Sequence, residues 1–239
     1  MNTIRTLVIQ FANEFSAKEI PLFRGAVIQS MEESNILFHN HTPDGFRYSY
    51  PLIQYKRIKG KAAIVFIGKG TDNINDLFSL GSLLLRIGKK DVEMRIESIY
   101  TEQVEIVCSE KENHFKLHNW LPLNSTNYEL YQGMEDMVSK IELLERILVG
   151  NILSLLKGID IHVDQQISLR IADITNQHII HYKKVQLMAF DVDFYANVAL
   201  PQYIGIGKNS STGYGVLTIK SIVSIPYSTY PSKTRGTKP

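Results

Sequence analysis

Apolar and polar residues alternate along 3–11, with Ile4, Leu7 and Ile9 among the apolar members, and this period of two predicts a half-buried strand. From Ser16 the period lengthens: Leu22, Ala26 and Ser30 recur every four residues. Pro21 stands in the first turn, where a missing N–H costs nothing, so a helix is predicted here. Two β-rich runs, 50–58 and 62–68, flank Lys59-Gly60 and predict a hairpin. Asp72 or Thr71 is placed to cap a second helix carrying Ile74, Leu77, Phe78 and the apolar cluster 83–85. Residues 92–107 return to a β pattern, either one long strand or a hairpin about Thr101. Strand, helix, two strands, helix, strand is the split βαβ order of a ferredoxin-like domain.

In the second half, 115–123 and 124–128 read as a connector with a short strand. Met137, Ile141, Leu144, Leu148, Ile152 and Leu155 then recur at helical intervals up to Gly158. Strand-like runs follow at 159–171, 183–195 and 215–225. The economical reading is an α+β protein of two tandem ferredoxin-like (RRM-like) βαββαβ domains, at 1–112 and 113–225. The second is degenerate because 195–205 lacks a clear helical pattern. Residues 226–239, rich in Pro, Ser, Thr and basic residues, are expected to be irregular.

Composition changes this picture in two respects. A lone Cys108 rules out an internal disulfide framework and a cysteine-based zinc site, and reads as a small buried hydrophobe. The net charge of +2 hides a division: residues 91–145 hold 12 of the 24 acids and 4 of the 26 bases, so that segment is −8 and the remainder +10. Such asymmetry suits one basic face for a polyanion, although solvated surface charge gives the same count. No long apolar stretch follows a basic start and none approaches a transmembrane run, so no membrane association and a cytoplasmic location are expected.

Two constellations carry chemistry. The first is His39, Asn40, His41 and, seven residues on, Tyr48. Imidazole titrates near neutrality, so neighbouring histidines can supply one proton acceptor and one donor in the same step. Cleavage of RNA by its own 2′-hydroxyl needs that pairing, and a tyrosine can orient the phosphate or share the proton work, with no metal required. His-x-His can also be a metal-ligand pair, but no third ligand at a known spacing completes it, and two loop histidines without a task remain an alternative.

The second constellation is the glycine-rich run 205–215, with Gly205, Gly207, Lys208, Asn209, Ser210, Gly213 and Gly215 as candidate RNA-binding residues. Glycines let backbone N–H groups approach a phosphate closely, and Lys208 adds a cation. Ser211 and Thr212, like Ser210, can donate hydrogen bonds. A single residue separates Gly205 from Gly207-Lys208, which is not P-loop spacing, and the dinucleotide-site pattern is missing too; a set of tight turns stays open. The pairs His114/His118 and His178/His181 lack acidic or cysteine companions at ligand spacing and read as structural or surface residues. Phe46, Tyr48, Tyr50 and Tyr55 interleave with Arg47, Lys56 and Arg57, as in readers of single-stranded RNA, but also as in ordinary strands.

Taken in order, these pieces resemble the CRISPR-associated endoribonucleases of the RAMP superfamily that process CRISPR precursor RNA, in particular their b-type branch. The residues concerned are Leu22-Phe23-Arg24-Gly25, the Leu37-Phe38-His39-Asn40-His41 block and Tyr50-Pro51-Leu52-Ile53-Gln54-Tyr55-Lys56. Further on they are Trp120 to Asn124 with Tyr128 and Tyr131, Leu148 to Ile152, Leu156-Lys157-Gly158 and the glycine-rich run. The resemblance implies two ferredoxin-like domains and metal-independent cleavage leaving a 5′-hydroxyl and a 2′,3′-cyclic phosphate. It also implies His39, His41 and Tyr48 as catalytic residues, and no cofactor. CRISPR repeat RNA is the implied partner, with other CRISPR effector subunits or a second copy of the chain as further candidates. A non-catalytic RNA-binding subunit of a CRISPR effector complex is the alternative. A nucleotide-binding enzyme using the glycine loop is disfavoured by its spacing.

Overall fold

The computed structural model describes residues 2–31, 41, 42, 45, 46, 50–79 and 83–221. Twelve strands are described: β1 Thr3–Glu14, β2 His41–Thr42, β3 Gly45–Phe46, β4 Ile53–Ile58, β5 Lys61–Ile67, β6 Leu84–Ile87, β7 Lys90–Glu93, β8 Ile96–Glu105, β9 Cys108–Trp120, β10 Leu169–Tyr182, β11 Val185–Val198 and β12 Val216–Ser221. The α-helices are α1 Ile20–Ser30, α2 Ile74–Phe78, α3 Ser125–Gly133 and α4 Met137–Gly158.

Two four-stranded sheets organise the chain, in the orders β4-β5-β1-β8 and β10-β11-β9-β12, with every neighbouring pair antiparallel. Numbered within its own half, each sheet runs 2-3-1-4, the ferredoxin-like arrangement expected from the element order. Both hairpins that join the second and third strands use two-residue turns with two positive φ values. Lys59 and Gly60 are at 50° and 87°, and Lys183 and Lys184 at 46° and 67°. These primed turns match the twist of the flanking strands.

Several expected elements differ from the observed ones. The cluster 83–85 leaves the second helix, which is a single short α2, and enters the β6–β7 hairpin with Leu85 and Ile87 turned inward. Residues 92–107 form one strand, β8, preceded by β7, with no hairpin at Thr101. The expected connector 115–123 mostly belongs to the central strand β9. There Phe115 and Leu117 are buried while His114, Lys116 and His118 lie on the other face, an alternation masked by the polar stretch before it. Residues 124–128 begin α3, whose Asn124 side chain caps the Asn127 N–H at 2.8 Å. The strand expected at 159–171 lies later, at 169–182. No helix occupies the interval between β11 and β12, and the loop 199–215 runs in its place.

Helix α4 packs Leu143, Leu144, Leu148, Ile152, Leu155 and Leu156 onto the second sheet. That core continues through Leu200, Ile204 and Ile206 of the loop to the inner face of the first sheet, where Ile4, Val8, Ala63 and Val65 are buried. A separate core lies between α1 and the outer face of the first sheet, with Phe23 edge-on to Phe11, Phe15 and Tyr55 at 5.5–5.7 Å. The loop is therefore part of the joint between the halves, and the opposite face of the second sheet is left open.

Candidate nucleic-acid interface

The loop 199–215 is held by its own ladder and by strand β4. Gly215 has φ +60°, and a Cβ there would overlap the Ile206 carbonyl oxygen, so only glycine closes this turn. A Cβ at Gly205 would collide with Lys56 Nζ. Tyr55 N–H donates to the Ser211 carbonyl at 3.0 Å, and Tyr55 bridges Thr212 in parallel. Gly205 N–H donates to Gln54 Oε1 at 2.7 Å, and Lys56 Nζ to the Ser210 carbonyl at 2.5 Å. The edge of the first sheet is thus capped by the glycine-rich segment of the other half.

These contacts sort the candidate RNA-binding residues. Gly205, Ser210 and Gly215 are buried in the joint; Gly207, Asn209 and Gly213 are half-buried, and Lys208 is exposed. The N–H groups of Gly205, Ile206, Thr212 and Gly215 are already used inside the protein. Under Gly207, Trp120 Nε1 donates to Asn151 Oδ1 at 2.9 Å, so two residues of the family resemblance form the floor on which the loop rests.

His39 and Tyr48 lie outside the described residues. His41 opens β2 and pairs with Phe46 of β3, while its side chain is outside the described set. The chain leaves α1 at Met31 and rejoins the described fold at Tyr50. Tyr50 packs so closely on Gly158 that a Cβ there would overlap the Tyr50 Cβ. Its hydroxyl is buried near the Gln54 and Ser210 side chains, and burial pushes its pKa up. The segment carrying the histidines therefore ends against the glycine-rich loop.

Beside that loop, between the first turn of α1, the β4–β5 hairpin and the open face of the second sheet, is a cleft of about 1070 Å³. Lys18, Arg57, Lys59 and Lys183 line it, and among the described residues no Asp or Glu does. His118, His178 and His181, which read as structural or surface residues in the sequence, all line the cleft. Spacing along the chain could not bring them together: His118 lies on β9, and His178 and His181, three residues apart, lie near the hairpin end of β10. Burial lowers the pKa of His118, with Asp191 opposing, and its Nε2 lies 3.2 Å from Thr218 Oγ1. Tyr182 and Tyr214 meet edge-to-face at 5.8 Å. Nearby on the same face, Asp193 is covered by Lys220 at 2.6 Å and Lys116 at 3.7 Å, which neutralises that carboxylate.

Two family models match in tandem: the Cas6b N-terminal domain over residues 2–105 and the Cas6b C-terminal domain over 107–220. The chain belongs to the Cas6b family. An uncharacterized protein of Methanocaldococcus jannaschii is 30% identical over 142 residues, 57% of this chain and 95% of that one. A crystal structure of Cas6b matches at a TM-score of 0.80 with 24% identity, covering 91% of this chain and 99% of the other. A second, of the CRISPR RNA processing endoribonuclease Cas6b, matches at 0.68 with the same identity and coverage. Csf5, a CRISPR-Cas type IV Cas6 crRNA endonuclease, matches at 0.57 with 13% identity, over 92% and 100% of the two chains. These likenesses establish the tandem ferredoxin-like fold of Cas6 proteins for both halves. No described helix is long and apolar enough to cross a membrane.

Proposed function

We propose that the protein is an endoribonuclease that binds CRISPR repeat RNA in the cleft and cuts it without a metal ion. The observation that carries this reading is the cleft itself: four cations, no acid among the described residues, stacking-competent tyrosines and the glycine-rich loop on one wall. Phosphate contacts supply most of the affinity of such a surface, and aromatic faces accept unpaired bases of any sequence. Membership of the Cas6b family supports the substrate class.

In this reading His39 and His41 are the proton-transfer pair. One imidazole takes the proton of the attacking 2′-hydroxyl while the O2′–P bond forms. The P–O5′ bond breaks, and the other imidazole gives its proton to the departing 5′-oxygen. The products are a 2′,3′-cyclic phosphate and a 5′-hydroxyl. Tyr48 orients the phosphate, Lys208 and the half-buried Gly207, Asn209 and Gly213 present the loop to it, and Gly205, Ser210 and Gly215 hold the loop's shape. Support for this assignment comes from the return of the histidine segment at Tyr50, against Ser210.

Labelled repeat RNA incubated with the protein in excess chelator tests the reading in one gel. Cleavage at the rate seen without chelator is expected. Loss of cleavage would restore a metal-dependent mechanism, and RNA that is shifted but uncut would favour a non-catalytic binding subunit.

The turn at Lys183-Lys184 offers an independent check of the cleft. Two non-glycine residues in the left-handed region cost on the order of 1 kcal/mol each, where Asn-Gly fits the same turn without strain. Replacing the pair by Asn-Gly is therefore expected to raise the Tm by several degrees while weakening RNA binding. The slope of log Kd against log salt should fall by roughly 0.7 for each lost phosphate contact. Unchanged affinity and slope would remove the hairpin tip from the binding surface.

A further inference from the structure

Strand β4 is an edge strand whose first four residues, Ile53, Gln54, Tyr55 and Lys56, are all buried. Ile53 and Tyr55 face α1 and its core. Gln54 and Lys56, both 0% exposed, point to the other side and meet the glycine-rich loop. Gln54 is used at both ends: its Oε1 accepts from Gly205 N–H at 2.7 Å, and its Nε2 donates to the Pro51 carbonyl at 3.1 Å. Lys56 donates to the Ser210 carbonyl, and no acid among the described residues pairs with it. Gly205 and Ser210, the two loop residues they hold, bracket Gly207, Lys208 and Asn209, the part of the loop that faces outward.

We propose that Gln54 and Lys56 are positioning residues for RNA cleavage, clamping the glycine-rich loop at both ends of its outward-facing part so that it meets the scissile phosphate in one geometry. This rests on the endoribonuclease reading above. A lysine is a costly way to fill an apolar joint: burial lowers the pKa of Lys56 to about 7, and no carboxylate among the described residues offsets the loss of water. A methionine would fill the same space without that cost. Retention of the amine is explained if its donation to Ser210 sets the loop, because stability alone argues against it. The clamp does not touch RNA, since both side chains are covered by the loop they hold.

Lys56→Met and Gln54→Leu in the full-length protein test the clamp by three measurements. Lys56→Met is expected to raise the Tm at pH 7, and the gain should shrink as the pH approaches 10. The folded amine gives up its proton near pH 7, whereas the unfolded lysine keeps it until near its ordinary pKa, so the cost of burying the amine falls as the pH rises between the two. Despite this added stability, the single-turnover rate at saturating RNA should fall on the order of a hundredfold, the effect of misplacing a reacting group by about 1 Å. The Kd should move by less than about threefold, because the cleft cations supply the binding. In both variants amide exchange across 205–215 should become faster while α4 and β9 keep their protection. A Lys56→Met protein that is more stable and cuts at the wild-type rate, with the loop equally protected, would overturn the proposal. Wild-type protein that binds but never cuts RNA would sink the endoribonuclease reading, and the exchange measurement would still decide whether Gln54 and Lys56 hold the loop.

Discussion

The double variant His39→Ala, His41→Ala is expected to cut repeat RNA between about 10² and 10⁴ times more slowly than the wild type, the usual contribution of a positioned acid and base. Its affinity for a non-cleavable repeat, with the 2′-hydroxyl at the cut site removed, should stay close to that of the wild type. Each single variant should show most of the loss, because the two imidazoles act in one step and their effects do not add. The wild-type rate should trace a bell against pH, and each single variant should lose one limb of it. Full activity in the double variant would transfer the chemistry to other groups. The cleft histidines His118, His178 and His181 are then the next residues to replace, since all three line the cleft together with Tyr214 and Gly213.

A second large effect is expected at Gly215. Alanine there has to adopt φ near +60° and to place its Cβ where the Ile206 carbonyl oxygen sits, an atom fixed in turn by Leu217 and Ile204 pairing on either side. Backbone cannot yield as a flexible side chain would, so Gly215→Ala should cost on the order of 3–4 kcal/mol, or roughly 10 °C of Tm for a chain of this size. RNA binding and cleavage should fall together. Gly205→Ala meets the movable end of Lys56 and the Ser210 backbone, at a φ open to any residue, and is expected to cost less stability than Gly215→Ala. Thermal melts of the two variants side by side check this order. Equal melting temperatures would show that the loop can reshape around Gly215.

The charge pattern acquires a location. The sequence divides into an acidic stretch, 91–145, and a basic remainder, and the cleft is built mostly from the remainder: Lys18 before α1, Arg57 and Lys59 at the first hairpin, Lys183 at the second. From the acidic stretch only His118 and Asn119, neither of them acidic, reach the cleft lining. A polyanion approaching this face meets cations from segments more than a hundred residues apart in the chain.

Much of the first half was legible because its elements are local. The period-two run of β1, the four-residue spacing of α1 and the Lys59-Gly60 turn are each decided by neighbours in sequence, through side-chain alternation, helix geometry and the φ a turn demands. The same holds for α4, whose buried leucines and isoleucines recur as one stripe. Where the local signal was weak, the elements went astray. Strand β9 has its apolar alternation only in its second half, and α3 relies on a cap and tertiary packing at Tyr131 more than on a continuous stripe.

By itself, the amino-acid sequence determined the family, the doubled βαββαβ plan, the degenerate second copy and the two motifs, His39-x-His41 and the glycine-rich run. Only the tertiary structure decided what the glycines are for and which polar residues gather around them. Gln54 and Lys56 alternate with Ile53 and Tyr55 in the first run of the hairpin, and these polar positions are buried because a loop about 150 residues away covers them. His118, His178 and His181 have no ligand spacing along the chain, but the second sheet brings strands β9 and β10 to one cleft. Periodicity records which way a side chain points relative to its neighbours. What then comes to face it depends on how two sheets and one loop pack to bury a common core, and that is settled by contacts distant in sequence.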